Sequence, residues 1–332
     1  MDFDDRCGMG VLSDMRARSG IILSLFAASF AGTSAQALET DQFYAWGKPI
    51  GDSTEYLNAW VRLEIQSALD SNSGLAAKDC ESAVRQLQKS LQKSIYQPIE
   101  LWIISSDLVD KIPKGLEANR EYRASYLLSK TYRFDTARGL QPSPTLQVNE
   151  IRFGSDKLAH LFSEGWWYYK YWRKYREDQT EDELQRNLFN FGVKLEKSIQ
   201  GTKLTGVFSP GDLEANVQGL EFYKNLCHGE EPLLSRQDGR WIFSDQFDIG
   251  GYVHPKWDES WNPNYYTRKR WEGVQKTMAG YCPLLESDWV IRQRNRYTEL
   301  DTMTVTAKLI RELVDAGELP DPMRYDITSV CK

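Results

Sequence analysis

His160 is one of only three histidines in the chain, and a carboxylate lies four residues before it and another four residues after it. Asp156, His160 and Glu164 therefore follow the spacing that places side chains along one stripe of an α-helix. A histidine between two carboxylates can bind a metal ion or act as an oriented acid or base. The same spacing also occurs in ordinary ion pairs on solvated helices, and this alternative stays open.

The sequence predicts a helix over residues 155–176, with Ser155 as its N-cap. Trp167 and Tyr171 continue the stripe that carries the ionisable residues. The opposite side of the helix is also apolar or aromatic, with Leu158, Leu161, Phe162, Tyr169 and Trp172. Because large side chains occupy both sides, we expect this helix to be buried nearly all round. Its ionisable residues would then be interior groups that need partners, which favours a site over a solvated face.

A second helix is predicted from Pro210 to about residue 226, with proline at its first position. Asp212 and Asn216 share one face of this helix, and we predict that they contact His160 as ligands or hydrogen-bond partners. The alternative for Asp212 is a capping role at the helix start. Gly219 in mid-helix costs about 1 kcal/mol relative to alanine, which indicates close packing against another element.

Together the two helices predict an acid/base or metal site. The predicted catalytic residues are His160, Glu164, Asp212 and Asp156. The predicted cofactor is a divalent metal ion, for which three mixed nitrogen and oxygen ligands with an open position suffice. Its predicted ligands are His160, Glu164 and Asp212. The sequence lacks the His-Glu-x-x-His, Gly-x-Ser-x-Gly and nucleotide-binding patterns.

Residues 252–266 combine aromatic rings with carboxylates and amides and contain two prolines, so they predict a long loop. Rings that stack on sugars and polar groups that meet hydroxyls make this composition typical of glycan binding. The same composition also suits a self-packed loop whose rings act as plugs. Including residues of the two helices, the predicted substrate-binding set is Trp167, Asn216, Trp257, Asp258, Trp261 and Asn264.

The N-terminal residues 1–37 resemble a secretory signal peptide, with Arg16 and Arg18 before an apolar run and small residues before a predicted cleavage after Ala37. The acidic leader is unusual for such a segment, so residues 1–14 are predicted to precede the true start at Met15. The alternative is an uncleaved N-terminal anchor. We therefore predict a periplasmic or secreted protein.

Four cysteines follow the predicted cleavage point, an even number that favours disulfides in an exported protein. Three pairings are possible, and we predict Cys227 with Cys282 and Cys80 with Cys331. The chain carries 41 basic and 47 acidic residues, a net charge of −6 that argues against nucleic-acid binding. No second apolar run approaches membrane length, so no stable membrane span is expected after cleavage.

The fold is predicted to be mainly α, an irregular multi-helix domain over residues 38–332 with at most two or three short strands and long aromatic-rich loops. A sub-domain break is considered at residues 139–145, which are rich in proline and glycine. Residues 146–153 alternate between apolar and polar side chains, which predicts a short strand or an extended lead-in to the helix. The remaining predicted helices cover residues 54–69, 77–95, 98 onward, 116–130, 180–199, 268–278, 286–294 and 300–316.

Two functional hypotheses follow from these observations. The first is an exported hydrolase that acts on an envelope or extracellular glycan, with carboxylates and a histidine of the 155–176 helix and carboxylates of the second helix as its acid/base groups and residues 252–266 as its binding wall. Glycoside cleavage needs two carboxyl groups, and the candidates are Asp156, Glu164, Asp212, Glu214, Asp258 and Glu259. The second is a non-enzymatic periplasmic or secreted protein that binds a glycan or another protein through the loop 252–266. Convergence of His160 and Asp212 in a cleft would favour the first.

Overall fold

The structure is a computed structural model that describes residues 37–71, 74, 78–92, 97–114, 122, 141–198, 201–203 and 205–331. The predicted mainly α fold is confirmed. The α-helices of the described residues are α1 (Thr54–Asp70), α2 (Cys80–Leu91), α3 (Pro98–Ser105), α4 (Asp156–Tyr175), α5 (Glu181–Glu196), α6 (Pro210–Cys227), α7 (Arg268–Met278), α8 (Asp288–Leu300), α9 (Val305–Asp315) and α10 (Ile327–Val330). The predicted helix at 116–130 and the predicted signal peptide at 1–37 lie outside the described residues, except for Tyr122 and Ala37.

The centre of the fold is the packing of α4 against α6. Contacts advance in step along the two helices, from His160 with Asp212, through Gly165 with Gly219, to Trp172 with Lys224, whose ammonium lies 5.5 Å from the indole ring centroid. The two helices therefore run in the same direction and bring their N-terminal ends together. The first turn of each helix favours carboxylates electrostatically, so this shared end is suited to acidic side chains.

Two glycines allow the close approach of α4 and α6. A Cβ atom at Gly165 would lie 2.5 Å from the Cα of Gly219, and a Cβ at Gly219 would lie 2.1 Å from the carbonyl oxygen of Leu161. Neither space accommodates a methyl group without moving backbone. The predicted close packing at Gly219 is confirmed, and its partner is the helix that carries His160.

We expect Gly165→Ala to destabilise the protein although alanine favours a helix by about 1 kcal/mol. The new methyl group would force α4 and α6 apart, and overpacking of this kind costs about 1–3 kcal/mol. Urea or thermal unfolding measures the change, with Gly280→Ala as the matched control because nothing lies within 4 Å of its added Cβ. A Gly165→Ala variant as stable as the control would contradict the close contact.

A β-hairpin leads the chain into α4. Its strands are β3 (Thr145–Val148) and β4 (Ile151–Gly154), which pair antiparallel. The predicted single strand is thus two strands, because Asn149 and Glu150 take positive φ angles of 47° and 67° and make a tight turn. A second antiparallel pair of the same length joins β6 (Leu234–Gln237) with β7 (Arg240–Phe243). Two-residue strand pairs join β1 (Ala37–Leu38) with β2 (Gln141–Pro142) and β5 (Val207–Phe208) with β8 (Tyr265–Tyr266).

The other helix predictions differ mainly at the ends. The helices α1, α5 and α7 lie where the sequence places them, and α5 begins with a capping box at Thr180 and Glu183. The apolar run after Pro98 is a helix, as favoured. The helix α8 begins and ends later than predicted, and α9 begins five residues later because Thr304 is its N-cap.

The predicted disulfide pairing is wrong, although all four cysteines are paired. Cys80 pairs with Cys227, and Cys282 pairs with Cys331. The first residue of α2 meets the last residue of α6 because these helices pack together, and the 3-10 helix at 279–284 packs against α10, which ends beside Cys331. Two disulfides are typical of proteins that meet an oxidising environment.

The described part of the segment considered as a sub-domain break lies inside the protein. Ser143 is fully buried, and its carbonyl accepts hydrogen bonds from Thr40 Oγ1 at 3.1 Å and from the Tyr122 hydroxyl at 2.9 Å. Among the described residues, no helix combines the length and the apolar character that a membrane crossing requires.

Candidate functional site

A buried lysine lies at the centre of the site where the N-terminal ends of α4 and α6 meet. Lys157 is fully buried, and its Nζ contacts Asp156 Oδ2 at 2.6 Å, Asp212 Oδ1 at 2.7 Å and Glu259 Oε1 at 2.6 Å. Burial alone would lower the pKa of Lys157, but the surrounding carboxylates raise it well above its ordinary value. The lysine is therefore charged, and it neutralises part of a strongly acidic interior.

Hydrogen-bonding groups from other parts of the chain hold these carboxylates in place. Gly154 leaves room for Thr40, whose Oγ1 lies 3.0 Å from Asp156 Oδ1. Ser209 is the N-cap of α6, and its Oγ accepts from the Asp212 amide at 3.1 Å while donating to Glu259 Oε1 at 3.2 Å. The capping serine of α6 thus also orients a carboxylate from a distant loop.

His160 contacts the second helix as the sequence predicts. Its Nε2 lies 3.3 Å from Asp212 Oδ2, and its Nδ1 lies 3.0 Å from Asn216 Oδ1. Glu164 Oε2 is 3.8 Å from Nδ1. Burial lowers the pKa of His160, but Asp212 and Glu164 outweigh it and leave the pKa raised above its ordinary value. Asp212 therefore links Lys157 with His160 through its two oxygens.

Three further carboxyl groups surround this cluster and are not among the predicted site residues. Glu39 and Glu196 are buried, and the burial together with nearby Asp212 raises the pKa of each well above its ordinary value. Glu196 Oε2 accepts from the Ser209 amide at 3.3 Å. Burial and the charge of Asp156 raise the pKa of Glu100 to about 8.

The pKa values of the cluster are driven apart, and acid/base sites show this property. Burial raises the pKa of Glu259 to about 7 despite the neighbouring lysine. Burial also opposes ionisation of Asp212, but His160 and Lys157 outweigh it and lower the pKa of Asp212. Near neutral pH the cluster thus holds one carboxyl that can give a proton and one carboxylate that can accept one.

A small cleft of about 50 Å³ borders the cluster. Its lining includes Glu39 and Glu259 of the cluster together with Asn264, Tyr266 and Arg270. Asn264, a predicted substrate-binding residue, is buried there, and its Oδ1 has no hydrogen-bond partner among the residues that the structure describes. Glu39 and Glu259, both with a raised pKa, therefore line a space that a small polar group can enter.

The aromatic loop does not form the predicted sugar-stacking surface. Trp257 is fully buried and packs edge-on against Phe153, with ring centroids 5.1 Å apart. Asp258 is buried and accepts from the Tyr297 hydroxyl at 3.0 Å. Trp261 donates from Nε1 to Asp301 at 3.1 Å. These rings act as plugs, so the self-packed alternative describes this loop, and Glu259 is its contribution to the cluster.

Two other predicted residues lie apart from the centre. Trp167 is 45% exposed, and the ammonium of Lys170 lies 3.3 Å from its ring centroid, so it faces solvent beyond the cluster. Glu164 approaches the Nδ1 side of His160, whereas Asp212 approaches Nε2. The predicted metal ligands His160, Glu164 and Asp212 therefore do not converge on one point. The carboxylate that lies close enough to share a metal ion with His160 and Asp212 is that of Glu196.

Comparison with protein-family models, with curated proteins and with solved structures finds no match for this chain. The chemistry of the site is therefore argued from its own geometry.

Proposed function

We propose that the protein is a hydrolase whose acid/base groups are the carboxylates around Lys157. The observation that carries this proposal is the contact of Glu259 and Glu39 with the cleft, in the same cluster as an ionised Asp212. Glu259, with a pKa of about 7, is suited to protonate a leaving group near neutral pH. Asp212 and Lys157 would supply fixed charges beside the reacting bond.

The substrate we propose is a glycan of the cell envelope or the extracellular space. Glycoside hydrolysis uses two carboxyl groups in different protonation states, which matches the divided pKa values of this cluster. The cleft adds the amide of Asn264 and the rings of Phe43 and Tyr266, which suit sugar hydroxyls and sugar faces. The predicted signal peptide and the two disulfides support a periplasmic or secreted location for such a substrate.

A second candidate is a non-enzymatic protein in which the cluster only stabilises the fold. The observation in its favour is that Lys157 already has three carboxylate partners, so its charge is fully compensated without a ligand. In that case binding would involve other surfaces, and removing one carboxyl group would change stability alone. The two candidates therefore differ in what Glu259 does when the fold is kept.

The proposal predicts that the purified protein releases reducing ends from at least one of peptidoglycan, chitin and β-glucan. Glu259→Gln, which keeps the size and one acceptor oxygen, should slow this release by about 10²-fold or more because it removes the general acid. In the wild type the rate should fall as the pH rises above about 7, where Glu259 loses its proton.

The matched control is Glu286→Gln, an exposed glutamate far from the cluster in sequence, which should keep the full rate. Circular dichroism and thermal unfolding confirm that each variant is folded. If the wild type releases no reducing ends from any of the three polymers, or if Glu259→Gln and the control release them at equal rates, the hydrolase proposal is wrong and the structural candidate remains.

A further inference from the structure

We infer that the cluster binds one divalent transition-metal ion, such as Zn²⁺, through His160, Glu196 and Asp212. One ligand atom from each of these residues lies within 4.8 Å of the others, and the three residues come from three different helices. The inference goes beyond the proposed hydrolase, since such an ion can be bound whether or not the site cleaves a glycan.

The separation of two donor atoms fits a shared ion. His160 Nε2 and Asp212 Oδ2 are 3.3 Å apart. Two ligands about 2.0–2.1 Å from one tetrahedral zinc ion lie roughly 3.3 Å from each other. The same two atoms are therefore spaced for coordination without rearrangement of either helix. Glu196, at the last position of α5, supplies the third donor within the same 4.8 Å.

Each proposed ligand has a second contact that orients it. The Nδ1 of His160 lies 3.0 Å from Asn216 Oδ1, so an N–H there donates to the amide and leaves Nε2 as the donor to a metal. Asp212 keeps Lys157 on Oδ1, which leaves Oδ2 for the ion. Glu196 Oε2 accepts from the Ser209 amide. Such outer contacts are typical of metal ligands in proteins.

The ligand set for a metal is complete on the side of His160 and Glu196. Asp212 also belongs to a second group of close carboxylates, with Glu39 and Asp156, but on that side the ammonium of Lys157 contacts both Asp156 and Asp212.

The donor set narrows the class of ion. One imidazole nitrogen and two carboxylate oxygens suit Zn²⁺, Mn²⁺, Fe²⁺ or Co²⁺ rather than Ca²⁺, which prefers six or more oxygens. Three protein ligands leave a fourth position open for water or another small molecule. This site differs from the ligand set predicted from sequence in one residue, since Glu196 takes the place of Glu164.

The test uses the full chain after treatment with a chelator, titrated with ZnCl₂ and separately with CoCl₂. We expect one equivalent of zinc by elemental analysis, a rise in Tm on binding, and visible cobalt absorption of a tetrahedral site. Glu196→Gln and His160→Gln should weaken zinc binding by more than about 100-fold, and Asn216→Ala by about 10–100-fold because it loosens the histidine.

Two matched control variants are expected to bind the metal as the wild type does. His254→Gln removes a histidine that contacts Thr302 and lies 4.0 Å from Asp301, and it should keep the metal. Glu164→Gln should also keep it, since Glu164 lies on the Nδ1 side. Zinc binding unchanged in a folded Glu196→Gln variant, binding lost in His254→Gln, or a wild type that binds no zinc or cobalt would each overturn the inference.

The outcome is separable from that of the proposed function. One bound equivalent of zinc with no release of reducing ends would leave the metal site standing and remove the hydrolase. Glycan cleavage by a protein that binds neither metal would leave the carboxylate hydrolase and remove the metal site.

Discussion

Replacement of Lys157 by methionine is expected to lower the free energy of unfolding by about 3–5 kcal/mol. Methionine fills a similar volume, so the loss reflects charge and not a cavity. Without the ammonium, Asp156, Asp212 and Glu259 face one another in a buried space where ionised carboxylates are poorly solvated. Removal of one partner from a buried ion cluster leaves uncompensated charge, which costs far more than an exposed pair contributes.

The matched control for this substitution is Lys224→Met. Lys224 pairs with Glu221 at 2.9 Å on α6, and its side chain is 25% exposed, so its loss should cost about 1 kcal/mol or less. Urea unfolding at neutral pH compares the two variants. Adding Glu259→Gln to Lys157→Met removes one of the carboxylates that have lost their ammonium partner, and it should recover part of the lost stability. Equal losses in Lys157→Met and Lys224→Met would show that the cluster is not energetically coupled.

The sequence predicts the two central helices because their signals are local. Ser209 caps α6 through its side chain, whereas Ser155 precedes α4 with a helical backbone and makes no side-chain capping bond among the described residues. The spacing of His160 from its carboxylates follows helical periodicity. The contact of His160 with Asp212 and Asn216 follows once a helix buried all round is assumed, since buried polar groups need partners. Gly219 in the middle of α6 adds a further indication, because a mid-helix glycine suggests that another element packs closely against this helix.

The rest of the cluster could not be predicted, since Glu39 and Glu196 come from distant parts of the chain with no shared periodicity. Glu259 is a candidate carboxyl of the aromatic loop, but the sequence does not indicate that it contacts Lys157. Lys157 is the residue with a usable signal. It lies between Asp156 and Leu158 on a helix that the sequence predicts to be buried all round, and a buried lysine must have carboxylate partners. In the aromatic loop the signal is present but ambiguous, because the same residue types are typical of a sugar-binding surface and of a self-packed loop.

The disulfides show why spacing alone does not decide a pairing. The bond between Cys80 and Cys227 depends on the packing of α2 against α6, which joins the start of one helix to the end of another. Neither the number of cysteines nor their spacing contains this contact. The same holds for Glu196, whose position at the end of α5 becomes meaningful only after α5 is placed beside the N-terminus of α6.

Glu100→Gln is expected to stabilise the protein at alkaline pH and to leave it nearly unchanged at pH 5. Glu100 is 4% exposed on α3, and its Oε1 accepts from Ser143 Oγ at 3.0 Å and from Ser155 Oγ at 3.4 Å. Burial and the charge of Asp156 raise the pKa of Glu100 from 4.5 to about 8. Glutamine keeps the carbonyl acceptor for both serines and cannot ionise.

The direction follows from proton linkage. Between pH 4.5 and 8 the folded protein keeps a proton on Glu100 that the unfolded chain releases, so the wild type loses stability as the pH rises through this window. At about 1.4 kcal/mol per pH unit, the advantage of Glu100→Gln should grow to several kcal/mol at most by pH 8. Urea unfolding at pH 5, 6.5 and 8 measures it, with Glu286→Gln as the exposed control. If the free energies of unfolding of Glu100→Gln and the wild type differ by a constant amount across these pH values, Glu100 is ionised in the folded protein throughout. The buried negative charge near the N-terminus of α4 would then be larger than the raised pKa of Glu100 implies.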